Sequence, residues 1–304
     1  MKVFITGATG VLGRVVARLL LDGGYQVRAL ARSARNESEL REIGAEPFTA
    51  NLFDSSSLRK ALMGRDAVLH LATHIPPAKD ATRPGAWREN DRIRMEGTRS
   101  LVDAALECGV PTFIYPGIVF VYPDGGANWL DTTTPPAPTP ILRSSLDAEA
   151  EVVRFTGAGH RGIVLRMAGF YGPSAPNTLH MLRSAQRGIA LIFGRNKAYQ
   201  SLIWVDDAAL AVVDALRRAS AGIYDVVDDE PLQKWELAAT LAKAVRRRRL
   251  LRPPAFLLWL FGGKNVMFQA RSQRVSNRKF KAETGWSPMV PSARQGFDLL
   301  SILP

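Results

Sequence analysis

The chain lacks the features of an exported, disulfide-stabilised protein. Its single cysteine, Cys108, has no second thiol to pair with, so it can form no internal disulfide and no cysteine metal site. The apolar residues Val3, Phe4 and Ile5 follow Met1 almost directly, without the charged region and cleavage site of a secretory signal. These absences predict a reducing, cytoplasmic location.

Long hydrophobic runs are also missing. The longest unbroken one, from Ala255 to Phe261, has seven residues, whereas a membrane-spanning helix needs about 20. We therefore expect no transmembrane segment. The composition, with 46% hydrophobic and 22% charged residues in 304, is that of a folded chain with a proper core and excludes a disordered or fibrous protein.

An acidic excess is absent as well, since the formal net charge is +12. Residues 1–165 carry 19 Lys and Arg against 18 Asp and Glu, while residues 166–304 carry 21 against 10. The densest basic stretch, Arg246 to Arg252, precedes the apolar Phe256 to Phe261. Two interpretations stay open: a surface for a membrane, an acidic substrate or RNA, or a solvated helix end followed by a packed segment. Without zinc-finger or RRM-type motifs, we expect no nucleic-acid partner.

What is present is an alternation of short apolar runs with helical patterns, which predicts βαβ units and a parallel sheet. The predicted fold is α/β, a Rossmann-type doubly wound sheet with a smaller C-terminal substrate-side region. We divide the chain into a dinucleotide-binding domain over 1–168 and a substrate-side region over 169–304, some segments of which return to the first domain. Proline interrupts the second region repeatedly.

Three glycines follow the first predicted strand, Lys2 to Thr6. Gly7, Gly10 and Gly13 have the spacing G-x-x-G-x-x-G and open an amphipathic helix that begins at Val11. A tight glycine turn lets the backbone approach a pyrophosphate, and the helix N-terminus presents amides to it. The pattern therefore predicts a nicotinamide-cofactor site; a turn without a ligand is the alternative.

Arg32 follows the second strand, at the position where NAD-binding proteins usually place an acidic residue for the ribose 2′-hydroxyl. An arginine there accommodates a 2′-phosphate. We therefore expect NADP(H) rather than NAD(H), the alternative being an ordinary surface arginine.

The chain resembles the extended short-chain dehydrogenase/reductase superfamily, the NAD(P)-dependent epimerases, dehydratases and related reductases. The resemblance rests on motifs in the same order along nearly all of the chain: Thr6 to Gly13, Asn51-Leu52, Asp66 to Ala72, Glu96-Gly97-Thr98, Leu165-Arg166, Tyr171-Gly172-Pro173, Trp204 to Ala209 and Gly285 to Pro288. It implies that Asn51 and Leu52 border the adenine and that Met167 to Phe170 border the carboxamide. The full set of implied cofactor residues is Gly7, Thr9, Gly10, Val11, Leu12, Gly13, Arg32, Asn51, Leu52, Leu71, Ala72, Thr73, Met167 and Phe170.

The family's catalytic residues are missing. Counting from Glu149 puts Ser145 at the lysine position and Ile141 at the tyrosine position, and counting from Tyr122 puts Ile118 at the serine position. The chain has no Y-x-x-x-K, and isoleucine cannot transfer a proton.

His74 is our candidate proton donor, because it follows the segment Leu71 to Thr73 that should pass the nicotinamide, and histidine titrates near neutral pH. The alternative is a histidine that only caps a loop. Tyr115 and Tyr122 are predicted to be core residues. Asp206 and Asp207 are predicted to begin a helix.

Three functions remain open. The first is an atypical NADP-dependent oxidoreductase on a small carbonyl or enone substrate, with His74 or water as proton source. The others are a redox-neutral isomerase, cyclase or lyase, suggested by Ile118 and Ile141, and a non-catalytic NADP-responsive regulatory protein. The expected partners are a small-molecule substrate and, as an alternative to a monomer, a second copy of the chain in a homodimer.

Overall fold

The computed structural model describes residues 1–77, 80, 81, 83 and 85–301, and for residues 258, 261, 262 and 264 the backbone alone. Its strands are β1 Lys2–Thr6, β2 Gln26–Ala31, β3 Glu46–Thr49, β4 Ala67–His70, β5 Thr112–Tyr115, β6 Trp129–Leu130, β7 Arg161–Met167, β8 Gly169–Tyr171, β9 Tyr199–Gln200, β10 Leu202–Trp204, β11 Gly222–Val226, β12 Leu232–Gln233 and β13 Arg274–Val275. Its α-helices are α1 Val11–Asp22, α2 Ala34–Glu42, α3 Ser55–Leu62, α4 Arg88–Arg92, α5 Thr98–Glu107, α6 Arg143–Gly157, α7 Pro176–Gln186, α8 Val205–Arg218, α9 Lys234–Ala244, α10 Ala255–Gly262, α11 Arg278–Thr284 and α12 Ala293–Leu300. A π-helical turn, Ile93–Gly97, joins α4 to α5.

The chain forms two compact units, whose segments alternate along the sequence. The first comprises residues 1–117, 144–166 and 209–224, and the second comprises residues 118–143, 167–208 and 225–304. Residues 209–224 return to the first unit. They contain most of helix α8 and the start of strand β11, so the alternation of helix and strand resumes there. The division at residue 168 into a dinucleotide-binding domain and a substrate-side region stays a prediction.

A seven-stranded sheet in the order β11-β7-β5-β4-β1-β2-β3 organises the first unit. The pairs from β3 to β7 are parallel. The largely apolar, buried runs of β1, β4 and β5 fit this arrangement, since a parallel sheet is covered by helices on both faces. The predicted doubly wound α/β fold is confirmed.

The chain order of the strands reverses beside β1, which lies between β2 on one side and β4 on the other. In doubly wound sheets, ligands bind beyond the carboxyl ends of the strands at this switch point. The fold therefore places the end of β1, and the glycine loop that follows it, at the position where a ligand is expected.

The second unit is built from short strand pairs and from helices α7, α9 and α12. Tyr171 is one of its buried aromatic residues, and Phe297 stacks on it with ring centroids 5.6 Å apart. Asp206 and Asp207 lie in the first turn of α8, as predicted. Asp207 is also fully buried, and it accepts hydrogen bonds from the backbone N–H groups of Met289 and Val290, both at 2.9 Å.

The basic stretch divides into two kinds of arginine. Arg252 donates to the backbone oxygens of Ile192 and Gly194 at 3.1 and 2.7 Å, whereas Arg248 and Arg249 are exposed. In α10, Phe256, Trp259 and Leu260 are exposed, which contradicts the packed-segment interpretation for these three side chains. Within the described ranges, no helix has the length and apolar character needed to cross a membrane.

Candidate cofactor site

The turn after β1 leaves a helix N-terminus open. Gly10 has extended backbone and precedes α1 without a side-chain cap, while its N–H donates to the Gly7 oxygen at 2.9 Å. The first amides of a helix have no partner within the helix, and the helix dipole adds partial positive charge there. This end of α1 can therefore receive a phosphate group.

Glycine is required at two of the three loop positions for packing. Gly7 has φ +75°, and a β-carbon on it would lie 2.6 Å from the Ala72 nitrogen. A β-carbon on Gly13 would lie 2.1 Å from the Gly7 oxygen. At Gly10 the corresponding distance to the Gly7 oxygen is 3.1 Å, and no other atom lies within 4 Å. The tight turn and the space in front of Gly10 fit a bound pyrophosphate.

The neighbouring loop residues support this turn. The Thr9 hydroxyl accepts a hydrogen bond from the Asn36 side chain at 2.8 Å, which connects the loop to the start of α2. Val11 and Leu12 are the first two residues of α1; Leu12 is buried and Val11 is half-buried. Within the described chain, Thr9 and Val11 are thus candidates for ligand contact and Leu12 for support.

Arg32 lies one residue beyond β2, exposed, and has no ion-pair partner among the residues the structure describes. Ser33 caps α2 by accepting from the Asn36 N–H at 3.3 Å. Arg35, by contrast, forms an ion pair with Glu39 at 3.0 Å. Of the two arginines, Arg32 is the one without an ion-pair partner in the described chain.

The remaining cofactor candidates are divided between the two units. Asn51 accepts from the Phe53 N–H at 3.1 Å, and Leu52 is buried against Gly97. Leu71 donates its N–H to the Thr6 oxygen at 3.0 Å, which brings Ala72 against Gly7, and Thr73 is exposed. These residues belong to the first unit, whereas Met167 and Phe170 belong to the second.

The three positions counted as catalytic in the family are occupied by two isoleucines and a serine. Ile118 is half-buried and forms a backbone bridge with Met167. Ile141 is half-buried in the short 3₁₀ segment Pro140–Leu142. Ser145 lies in the first turn of α6 and is fully buried. His74 is exposed, and its backbone N–H donates to the Asn90 side chain at 3.1 Å.

Tyr122 and Tyr115 are both buried, as predicted. Tyr122 donates its hydroxyl to Asp225 at 2.9 Å. The Tyr115 hydroxyl, however, has no well-formed hydrogen bond within the described chain.

A buried polar cluster that the sequence interpretation missed lies at the ends of β4 and β5. It comprises His70, Arg94, Tyr115 and Ser145, each with a side-chain atom that has no hydrogen-bond partner of good geometry among the described residues. The His70 and Tyr115 rings are 6.0 Å apart. A signal was available, because Asn90, Arg94 and Thr98 recur every four residues and would share a helix face with apolar neighbours.

The electrostatics of the cluster follow from burial. Loss of water lowers the pKa of His70 to about 4, opposed only by the nearby Ile93 carbonyl, so this imidazole is neutral. Burial raises the pKa of Tyr115, while the charge of Arg94 and the Ser145 hydroxyl act to lower it. The cluster thus holds one cation among neutral hydroxyl and imidazole groups.

Known proteins match nearly the whole chain. The sequence is 28% identical over 309 residues to a 3-diazoavenalumate denitrifying reductase of a Streptomyces species, covering 97% of this chain and 99% of the relative. It is 27% identical to the 4-hydroxy-2-methyl-3-oxo-4-farnesyl-3,4-dihydroquinoline-1-oxide ketoreductase of Stigmatella aurantiaca, covering 99% and 96%. The structure of the human epimerase family protein SDR39U1 (isoform2) with NADPH superimposes with a TM-score of 0.81 at 21% identity, covering 100% of both chains.

The model of the NAD dependent epimerase/dehydratase family matches residues 3–227. This range contains the glycine loop, the central sheet and the segment after β4. The chain therefore belongs to the NAD dependent epimerase/dehydratase family.

Proposed function

We propose that the protein is an NADP(H)-dependent reductase of small carbonyl or enone compounds that works without the family's tyrosine and lysine. The observation that carries this proposal is the turn from Gly7 to Gly13, where the chain approaches itself so closely that side chains are excluded and the amides of α1 stay open. Such a turn has a clear use when a pyrophosphate occupies it.

Arg32 supports the choice of cofactor. Arg32 directly follows β2, the strand that neighbours β1 in the sheet. No carboxylate of the described chain forms an ion pair with its guanidinium. A free arginine can form charge-assisted hydrogen bonds with a 2′-phosphate, whereas the ribose 2′-hydroxyl of NAD would gain less from it.

The names of the relatives favour reduction over epimerisation. Two proteins that align with nearly the entire chain are called a reductase and a ketoreductase. Bound NADPH would supply the hydride, and the protein would orient the reacting groups. We assign the proton to His74 or to water, because His74 is exposed directly after the Leu71 to Thr73 segment.

The isoleucines at positions 118 and 141 favour an apolar substrate. Both are half-buried, and neither can donate a hydrogen bond. A hydroxyl-rich sugar would leave its polar groups unpaired against such side chains, and this costs binding energy. Apolar ketones, aldehydes and enones therefore fit the residues better than sugar nucleotides do.

The test follows the absorbance of NADPH while the protein is incubated with a panel of apolar aldehydes, ketones and enones and, for comparison, sugar nucleotides. We expect substrate-dependent consumption in the first group, faster with NADPH than with NADH. His74→Asn should slow it several-fold if histidine is the proton donor and leave it unchanged if water is. Binding of NADPH without consumption across the panel would contradict the reductase proposal and favour the redox-neutral alternative.

A further inference from the structure

The helical segment from α4 through α5 carries a buried cation. Arg94 lies in the π-helical turn Ile93–Gly97 and is 2% exposed. Its Nε and Nη1 atoms are buried and have no hydrogen-bond partner among the described residues. No described carboxylate lies within ion-pair distance of Arg94, and π-helical turns occur often at functional sites.

Two other elements present hydroxyl groups to the same region of the first unit. Tyr115, at the end of β5, is 1% exposed, and Ser145, in the first turn of α6, is fully buried. Both hydroxyl oxygens lack a well-aligned partner in the described chain, although Arg94 and Ser145 are near enough to act on the Tyr115 hydroxyl. Three separate elements thus bring polar groups that lack a well-aligned partner in the described chain into one buried region.

The buried carboxylate of α6 does not neutralise this cation. Glu149, one turn further along α6 from Ser145, forms its ion pair with Arg166 at 2.7 Å. His70 is neutral, so it offers no counter-charge. Buried charges and buried donors are normally paired, and a site that leaves them open in the protein alone calls for an occupant.

The sheet order identifies which half of the cofactor would lie there. Arg32 follows β2, on one side of β1, whereas Tyr115 and His70 end β5 and β4, on the other side. In the segment that follows β4, Ala72 packs against Gly7, and the backbone N–H of His74 donates a hydrogen bond to the side chain of Asn90. A dinucleotide whose pyrophosphate lies at the glycine loop and whose 2′-phosphate faces Arg32 extends its other half toward β4 and β5.

We propose that Arg94 supplies, from the helix of α4 and α5, the positive charge that the family's lysine would supply at Ser145, and that with the Ser145 and Tyr115 hydroxyls it binds the nicotinamide riboside half of NADP(H). This inference rests on the proposed cofactor, and it makes Arg94 a binding residue. Compared with the family's arrangement, the positive charge lies on the helical segment between α4 and α5 instead of on α6. Ser145, a small hydroxyl residue, occupies the position of the lysine on α6.

The test compares two ligands in a titration calorimeter. NADPH contains both halves of the cofactor, whereas 2′,5′-ADP contains only the adenosine half. Arg94→Met should weaken NADPH at least tenfold and change 2′,5′-ADP less than twofold. Arg99→Met is the matched control, because Arg99 is an exposed arginine that begins the next turn and pairs with Glu151; it should change neither affinity.

A rescue variant makes the test specific. Ser145→Lys in the Arg94→Met background returns a cation from α6 and should recover most of the lost NADPH affinity. If Arg94→Met does not fold, Ser145→Ala takes its place, with an expected several-fold loss for NADPH and none for 2′,5′-ADP.

Three outcomes would overturn the inference. The first is NADPH affinity within twofold of the parent in folded Arg94→Met, or in Ser145→Ala where that variant replaces it, which would assign the cluster to ordered water. The second is equal loss for both ligands, which would indicate a general structural role. The third is failure of the parent protein to bind NADPH, which would remove the cofactor proposal as well. Binding without turnover on any substrate, in contrast, would remove only the reductase assignment.

Discussion

Arg166 and Glu149 form an ion pair inside the first unit, with Arg166 Nη2 2.7 Å from Glu149 Oε2 and both side chains 5% exposed. The Arg166 Nε also donates to the two carboxylate oxygens at 3.1 and 3.2 Å. The pair connects β7 to α6, the helix that carries Ser145. Its partners are buried together, so neither can be removed without leaving the other charge in a site of low polarity.

Removing the cation alone should be costly. Arg166→Met leaves Glu149 buried and unpaired, and we expect the free energy of unfolding to fall by about 3–5 kcal/mol. Urea denaturation followed by circular dichroism measures this. The double variant Arg166→Met with Glu149→Gln removes both charges and should recover a large part of the loss. A single variant as stable as the parent would show that water reaches the pair.

The glycine loop offers a second test of close packing. Gly13→Ala places a methyl group 2.1 Å from the Gly7 oxygen, so the loop must shift. We expect a loss of about 1–3 kcal/mol in stability together with loss of measurable NADPH binding. Gly157→Ala is the control, since a β-carbon at Gly157 meets nothing within 4 Å. Equal nucleotide affinity in the two variants would be incompatible with a pyrophosphate at this turn.

The first half of the fold could be predicted from the sequence because its signals are local. β1 has the predicted limits, Lys2–Thr6, and α1 begins at Val11 as expected. A covered parallel strand needs only a run of apolar residues, and a glycine turn needs only a fixed spacing. The glycine site could be predicted for the same reason.

The polar face of one helical segment could be noticed in the sequence, but the meeting of the three segments that form the polar cluster could not be derived in this way. Arg94, Tyr115 and Ser145 come from three distant segments, and only the sheet order brings the ends of those segments together. The sequence around Tyr115 predicts a core residue, and Tyr115 is buried in the structure. Its missing hydrogen bond depends on which groups surround it, and sequence spacing does not contain that information.

Arg32 should determine which nucleotide is preferred. Arg32→Ala removes an exposed guanidinium without a described ion-pair partner, so the folded protein should lose little stability. Loss of charge-assisted hydrogen bonds of about 1.5–3 kcal/mol predicts NADP affinity lowered by about 10- to 100-fold, with NAD affinity nearly unchanged. Arg35→Ala, at the arginine that pairs with Glu39, is the control. Equal losses for NADP and NAD would refute the 2′-phosphate role.

His70 should make the protein sensitive to acid. Its Nδ1 lies 2.6 Å from the Thr6 hydroxyl oxygen, and burial lowers the pKa of the folded imidazole to about 4 from the ordinary 6.5. Between these two values the unfolded chain binds a proton that the folded chain does not. The stability that depends on neutral His70 is therefore fully present above about pH 6.5. The free energy of unfolding decreases as the pH falls toward 4, by up to roughly 3 kcal/mol.

The measurement is the urea midpoint at several pH values between 4 and 7 for the parent, His70→Asn and His180→Asn. Asparagine can keep a hydrogen bond to Thr6 but does not titrate, so the His70 variant should lose the part of the acid slope that the histidine causes. His180 is exposed and meets water in both states, so its replacement should leave the slope as it is in the parent. A His70 variant with the parent's slope would mean that carboxylates alone, and not this buried imidazole, control the acid response.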